Sequence, residues 1–229
     1  GYPRFTEGSR YWMQWAGVPD SVYSPTNGTS DYTDDYVNRG LWVNYISGGS
    51  SVNPDERGLN IPVDLSMAFH SDAGSTKDDG IIGTLGIYST KGYDGKFYNG
   101  ASRFISHDLC DLIQTSILND VRKQYAPEWS RRGMWNRPYL EAWTPRVPAM
   151  LLELLSHSNF ADMRYGLDPR FRFTVSRAIY KGILRFVASQ YNAPYIVQPL
   201  PVSHMALRFT GTRPNEVELT WKAVEDTLE

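Results

Sequence analysis

The chain has 229 residues, enough for one ordinary globular domain and part of a second, with a sizeable buried core. Lys and Arg total 23 against 25 Asp and Glu, and a formal charge of -2 gives no electrostatic footprint for nucleic acid or an anionic membrane. A single cysteine, Cys110, excludes an internal disulfide framework and a multi-thiolate metal centre, so any metal must sit on His, Asp or Glu.

Thr6-Glu7-Gly8-Ser9 opens a helical pattern that runs through Ala16 and is stopped by Gly17 and Pro19, which places Glu7 at a helix start. A polar loop follows from Ser21 to Ser30, and a second helix is predicted from Asp34 to Ser47, ended by Gly48-Gly49. The apolar run 62–70 has strand length and delivers His70 at its end, and a second strand is expected over 81–88. Apolar residues at 105, 109, 112, 113, 117 and 121 follow helical spacing within 102–125 and carry Cys110 among them. Two further strands are predicted over 139–143 and 149–154, the latter with Glu153 near its end. Asp168-Pro169 then supplies an N-cap acid and a Pro at N1 for a long helix with Val175, Ile179, Gly182, Ile183, Phe186 and Val187 on one stripe.

Strands alternating with helices predict an α/β sandwich. The pattern changes after Gln190: residues 192–201 hold three prolines and no helical period, as a linker would, and 206–209 and 216–221 alternate as two strands. About thirty residues cannot close a β-sandwich of about 100, so these strands are expected to open a second domain. No apolar run approaches the roughly 20 residues of a membrane-spanning helix, and Gly1-Tyr2-Pro3-Arg4 lacks the apolar stretch of a signal peptide.

Three residues stand out as chemistry. Glu7 starts a helix, while His70 and Glu153 end strands, where ligands collect in open α/β sheets. His and Glu suit zinc, and a carboxylate beside a metal can deprotonate its water. A lone His at a strand end is more often structural, so spacing by itself leaves both readings open. Aromatic residues make up 14% of the chain, with 7 Trp and 15 Tyr, a surplus that either packs a core or lines a sugar-stacking surface.

The run from Glu7 to about Ala188 resembles the zinc-dependent N-acetylmuramoyl-L-alanine amidases of the amidase type 3 family, and more closely a divergent Bacteroidetes branch often labelled xanthan lyase. Glu7 with Ala16-Gly17-Val18 is similar to the family's metal-binding Glu, first helix and Gly-x-x-Val step. Arg39 to Asn44 resembles its Arg-to-Ala-Asn segment, and Asp64 to Ala73 resembles its strand ending in Ser-Ile-His-Ala-Asn. The most specific match is Val147-Pro148-Ala149-Met150-Leu151-Leu152-Glu153-Leu154-Leu155-Ser156-His157-Ser158-Asn159, which resembles the family's Pro-Ala segment carrying its catalytic Glu and closing in Ser-Asn.

The resemblance implies an α/β fold, a mixed-sheet three-layer amidase-like (phosphorylase/hydrolase-like) sandwich with a short β tail. It implies an amidase-like domain over 1–191 and, over 192–229, a linker and the start of a fibronectin type III-like module with Trp221 as its core tryptophan. Zinc is the implied cofactor, with Glu7 and His70 as ligands and Glu153 as the catalytic carboxylate. Asp72, Arg132, His157 and Asn159 flank this centre as residues that orient ligands or substrate, or else as ordinary caps and solvated side chains. The family's first zinc histidine sits in an Asp-Pro-Gly-His-Gly-Gly segment that this sequence does not contain, so the domain is expected to lack its first strand and the metal site its third ligand. Asp72 replaces the family's common Asn, and Leu155 stands near its usual Gly-Phe.

The implied substrate is the N-acetylmuramoyl-L-alanine amide of peptidoglycan, with a periplasmic, outer-surface or secreted setting in a Gram-negative bacterium. A module that binds peptidoglycan or another envelope glycan without turnover is the alternative reading. A polysaccharide lyase ranks last, because no motif assembles a Tyr or His base beside a charge-neutralising Arg or Asn.

Overall fold

A computed structural model describes residues 8–229; the expected ligand Glu7 lies outside the described residues. Two compact units divide between Ala193 and Pro194.

The larger unit is built on a four-stranded mixed sheet. Helices α1 (Ser9–Trp15), α2 (Asp20–Tyr23) and α3 (Asp31–Ser47) come first, then strands β1 (Ser66–Asp72) and β2 (Thr84–Tyr88). Helix α4 (Ile105–Gln124), strand β3 (Arg131–Asn136), the single-turn helix α5 (Leu140–Trp143), strand β4 (Ala149–Ser156) and helices α6 (Phe160–Gly166) and α7 (Pro169–Gln190) complete it. The strand order is β1-β4-β2-β3, with β1 parallel to β4, β2 parallel to β3, and β2 antiparallel to β4. Helices α4 and α7 cover one face, while α5 lies on the other with α3 packed behind it, giving three layers.

The helix ends follow local chemistry. Ser30 caps α3 by accepting from the Thr33 N–H at 3.3 Å, which starts that helix three residues before the expected Asp34. Asp168 caps α7 through the Arg170 N–H at 2.8 Å, with Pro169 at N1. The expected stripe of α4 is the core itself: Leu109, Ile113, Ile117 and Val121 are fully buried against Phe171, Val175 and Phe186 of α7 and Met150 and Leu152 of β4. Cys110 is fully buried, and burial pushes its thiol pKa up to about 12. Gly182 lets α7 reach α4, since a Cβ there would lie 2.6 Å from the Ile113 Cα.

Several expectations are corrected. The strand expected over 139–143 is instead the helix Leu140–Trp143, with Tyr139 as its N-cap: Leu, Glu and Ala favour a helix, and the flanking Pro138 and Pro145 leave room for one turn. The run 81–88 becomes strand only at Thr84, because the Ile82 and Gly83 N–H groups donate to the buried Asp162 carboxylate at 2.9 and 3.2 Å and not to a strand. Residues 62–65 stay outside β1; the ladder begins where the Ser66 N–H donates to the Pro148 carbonyl at 2.8 Å. Strand β3 carried no alternation in the sequence and tolerates its two arginines because it is an edge.

Residues 194–229 hold strands β5 (Ser203–Phe209) and β6 (Val217–Lys222), an antiparallel pair with Leu207 opposite Leu219 and Arg208 opposite Glu218. Trp221 of β6 is 60% exposed. Among the described residues no helix is long and apolar enough to cross a membrane.

Candidate functional site

Strand β4 is buried at every position except Glu153, which is partly exposed. The parallel register sets Glu153 beside His70 of β1, and the antiparallel register sets it opposite Leu85 of β2. Alternation along a strand puts His70 and Glu153 on the face that carries Ala68, Leu85, Ile87 and Leu151, a small apolar cluster separate from the main core. This is the face covered by α5.

Helix α5 brings Glu141 down onto the pair. The His70 Nε2 lies 2.9 Å from Glu141 Oε2, and the other carboxylate oxygen accepts from Arg39 at 3.3 Å. Arg39 in turn donates to Asp35 at 2.7 Å, one helical turn earlier on α3. The result is a charge chain Asp35–Arg39–Glu141–His70 that ends beside Glu153.

The cradle of α5 is built for close approach. At Gly40 a Cβ would lie 2.7 Å from the Thr144 Cβ, so only glycine lets α3 sit this near the end of α5. Asn44 donates to the Thr144 carbonyl at 3.1 Å and accepts from the Arg146 N–H at 2.9 Å. Arg103, fully buried, donates to the carbonyls of Ala142, Trp143 and Pro145 at 3.2, 3.0 and 3.0 Å, which satisfies the C-terminal end of α5.

Electrostatics separates the two glutamates. Burial works against ionising Glu141, but the His70 hydrogen bond and the charges of His70 and Arg39 outweigh it and hold its pKa below the usual carboxylate value. The same hydrogen bond raises His70, against the opposing effect of burial. Glu153 moves the other way, because burial raises its pKa and the nearby Asp72 and Glu141 charges add to that, with His70 and Arg132 only partly offsetting. Its Oε2 is buried with no hydrogen-bond partner among the described residues. A carboxylate of this kind can take a proton from, and return it to, a group placed against it.

The flanking residues divide. Asp72 pairs with Arg132 of β3 at 2.7 Å, and although burial raises the Asp72 pKa, that ion pair brings it below the usual value. His157 is exposed, and its Nδ1 lies 3.0 Å from the Ser71 hydroxyl. Asn159 is buried and caps α6, accepting from the Asp162 N–H at 2.9 Å and donating to the Gly80 carbonyl. Sequence reasoning missed Glu141. Its signal was a helix-forming Leu-Glu-Ala step between two prolines.

The expected zinc ligand Glu7 lies outside the described residues, so only His70 of the expected pair is placed. Among the described residues no group of three His, Cys, Asp or Glu side chains is placed to hold a metal ion. Glu141 occupies the His70 Nε2, and Arg132 occupies Asp72. His107 of α4 stacks on the N-cap residue Phe104 at 4.5 Å.

Fold and cluster together define a mixed α/β protein with a His-carboxylate centre at one end of its sheet. Among solved structures, its fold is similar to the N-acetylmuramoyl-L-alanine amidase from Clostridium difficile 630 (17% identity, TM-score 0.48, covering 75% of this chain and 80% of that one). It is similar also to the CwlD amidase from Clostridioides difficile, solved in complex with the GerS lipoprotein (17%, 0.49, 79% and 81%). A third likeness is to the catalytic domain of CwlV, an N-acetylmuramoyl-L-alanine amidase from Bacillus (Paenibacillus) polymyxa var. colistinus (17%, 0.40, 72% and 89%). No protein-family model matches the chain, and a search of curated proteins finds no match.

Proposed function

We propose that this protein is a cell-wall amidase that hydrolyses the N-acetylmuramoyl-L-alanine amide of peptidoglycan. The observation that carries the reading is the juxtaposition of Glu153, its pKa raised and one oxygen unpartnered among the described residues, with His70 on the adjacent strand. The likeness of the segment 147–159 to the amidase segment that bears the catalytic glutamate supports it.

In this reading Glu153 takes a proton from the attacking water and returns it to the amine that leaves as the amide C–N bond breaks. Burial raises its pKa, the direction that makes a carboxylate a better proton acceptor. His70, fixed by Glu141, borders the same space and limits how water and carbonyl can be placed. The resemblance also assigns zinc to Glu7 and His70, but the described donors do not form its site and no step above runs through a metal. A peptidoglycan substrate places the protein in the envelope or outside the cell.

Glu153→Gln keeps the side-chain shape and removes the base, so release of L-alanyl amine from muramoyl peptide should fall by about a hundredfold to ten-thousandfold with the fold unchanged. Equal turnover would remove Glu153 from the reaction. Metal analysis belongs beside this assay: zinc retained at one equivalent through dialysis would require a ligand outside the described residues.

A second reading, a peptidoglycan-binding module without turnover, is favoured by one observation. His70 is bound into the Asp35–Arg39–Glu141 chain, leaving its Nε2 committed to Glu141. Binding of peptidoglycan with no hydrolysis by the unmodified chain would select it.

A further inference from the structure

Strand β3 opens with two arginines that go to opposite faces of the sheet. Arg131 reaches the α4 face, where it pairs with Asp111 and donates to the Thr115 hydroxyl at 3.0 Å. Successive side chains of a strand alternate, so Arg132 is turned to the face that carries Glu153. There its Nη1 donates to Asp72 Oδ2 at 2.7 Å, a contact between the two edge strands of the sheet, β3 and β1.

A bulge aims that side chain. Between the pairs Thr84–Arg131 and Gly86–Met134, β3 carries one residue more than β2, and Gly133 lies within the extra stretch at a φ of +91°. Bulges beside functional sites redirect a side chain in this way. Only glycine takes such a φ without strain. The Gly133 carbonyl accepts from the Gln114 side-chain amide of α4 at 3.0 Å, which fixes the bulge to the helix behind it.

The pairing leaves most of the guanidinium unused. An arginine offers five N–H donors in a planar fork. Among the described residues Arg132 bonds through Nη1 alone, and its side chain is 22% exposed. Arg39, the other arginine of the centre, is bonded through both Nη atoms, to Glu141 and Asp35. Asp72 already uses its second oxygen, since Oδ1 accepts from the Ala73 N–H at 2.7 Å. It therefore holds Arg132 at one corner, and the edge formed by Nε and Nη2 has no acceptor among the described residues. That edge matches a carboxylate, which takes two parallel N–H bonds. A partly exposed ion pair made at one corner contributes little stability by itself. Its place is what gives it chemistry: Asp72 stands two residues beyond His70, the register partner of Glu153, and the charges of Asp72 and Arg132 both act on Glu153.

We propose that Arg132, aimed by the Gly133 bulge and held at one corner by Asp72, forms a carboxylate subsite beside Glu153 that reads an acidic group on the peptide side of the substrate. The choice of peptide rests on the amidase reading; the subsite itself requires only binding. In that reading the peptide leaves as the L-alanyl amine, and the next residue of the stem, a glutamate joined through its side chain, brings a free α-carboxylate close to the scissile amide.

Two probes differ only at that group: N-acetylmuramoyl-L-alanyl-D-glutamate, with the α-carboxylate free, and N-acetylmuramoyl-L-alanyl-D-isoglutamine, in which it is an amide. Titrated into the full chain by calorimetry, the acid should bind roughly tenfold more tightly than the amide, the scale of a hydrogen bond to a charged group. Arg132→Gln should abolish this preference, and Arg132→Lys should keep only part of it, because lysine retains the charge and loses the fork. An Arg132 that merely supports the fold would weaken both peptides alike and leave their ratio unchanged in the variants, which overturns the proposal. Equal affinity of the unmodified chain for the two peptides, or binding of neither, overturns it as well. If Arg132→Gln fails to fold, Arg132→Lys decides: an undiminished acid preference there overturns the subsite. Acid preference that the variants lose, with no hydrolysis of either peptide by the unmodified chain, upholds the subsite and discards the amidase. Hydrolysis of both peptides with equal KM discards the subsite and leaves the amidase.

Discussion

At His70 and Glu141 two opposite shifts describe one interaction. His70 lies above its ordinary value of 6.5 chiefly through its hydrogen bond to Glu141. Glu141, with burial opposing, lies below its ordinary 4.5 because His70 and Arg39 favour its charge. A raised histidine contributes stability that is complete below its ordinary value and is lost as pH rises through the folded value. A lowered carboxylate contributes above its ordinary value and loses this as pH falls through the folded one. The pair therefore contributes most between about pH 4.5 and 6.5. In Glu141→Gln the His70 imidazole should titrate lower by NMR, and the stability lost relative to the unmodified chain should be larger at pH 5.5 than at pH 9. An unchanged His70 titration would mean that the contact does not persist in solution.

The same residues show how far single positions could be read. His70 and Glu153 stood out because each is a titratable group set in an apolar run, although a lone His at such a place is more often structural. Glu141 did not, because its partner His70 lies 71 positions earlier in the chain, and no local pattern encodes a contact across such a separation. Asn159 and His157 looked alike in sequence as polar residues after a strand; one caps α6, and the other turns to Ser71.

Among the elements, α4 and α7 were the most readable, since long helices repeat their apolar stripe over five or more turns and errors average out. Their packing depends on Gly182. An added methyl would meet the Ile113 backbone at 2.6 Å, and backbone yields less easily than a side chain. Gly182→Ala should gain about 1 kcal/mol of helix propensity and lose about 1–3 kcal/mol to overpacking. A lower denaturant midpoint with an unchanged slope is expected, and a raised midpoint would show that the helices can separate without cost. Short elements behaved differently. One turn at α5 and six residues at β3 carry too few periods for a pattern, and their state is set by what they pack on: α5 by Gly40 and Arg103, β3 by the exposed edge of β2.

In the molecule as a whole, the two units differ in what protects their backbones. Ile105–Gln124 is buried along one side against α7 and the sheet, whereas β5 and β6 pair with each other and expose most of their side chains. Amide exchange should be slow through 109–121 and faster by orders of magnitude through 203–222, because two strands alone are marginal. Slow exchange from Leu207 to Trp221 would show that another sheet or partner covers the hairpin.

By itself, the sequence determined whatever depends on period and on end chemistry: an α/β chain with two long amphipathic helices, two apolar strands that carry His70 and Glu153, and a change of character after Gln190. These follow from forces that act within a few turns or strand repeats. Only the tertiary structure decided that β2 runs antiparallel to β4, that α5 is a helix, and that Asp35, Arg39 and Glu141 converge on His70. Strand direction and long-range ion pairs arise from how separate elements bury their faces against one another, and that geometry exists only once the chain has closed on itself.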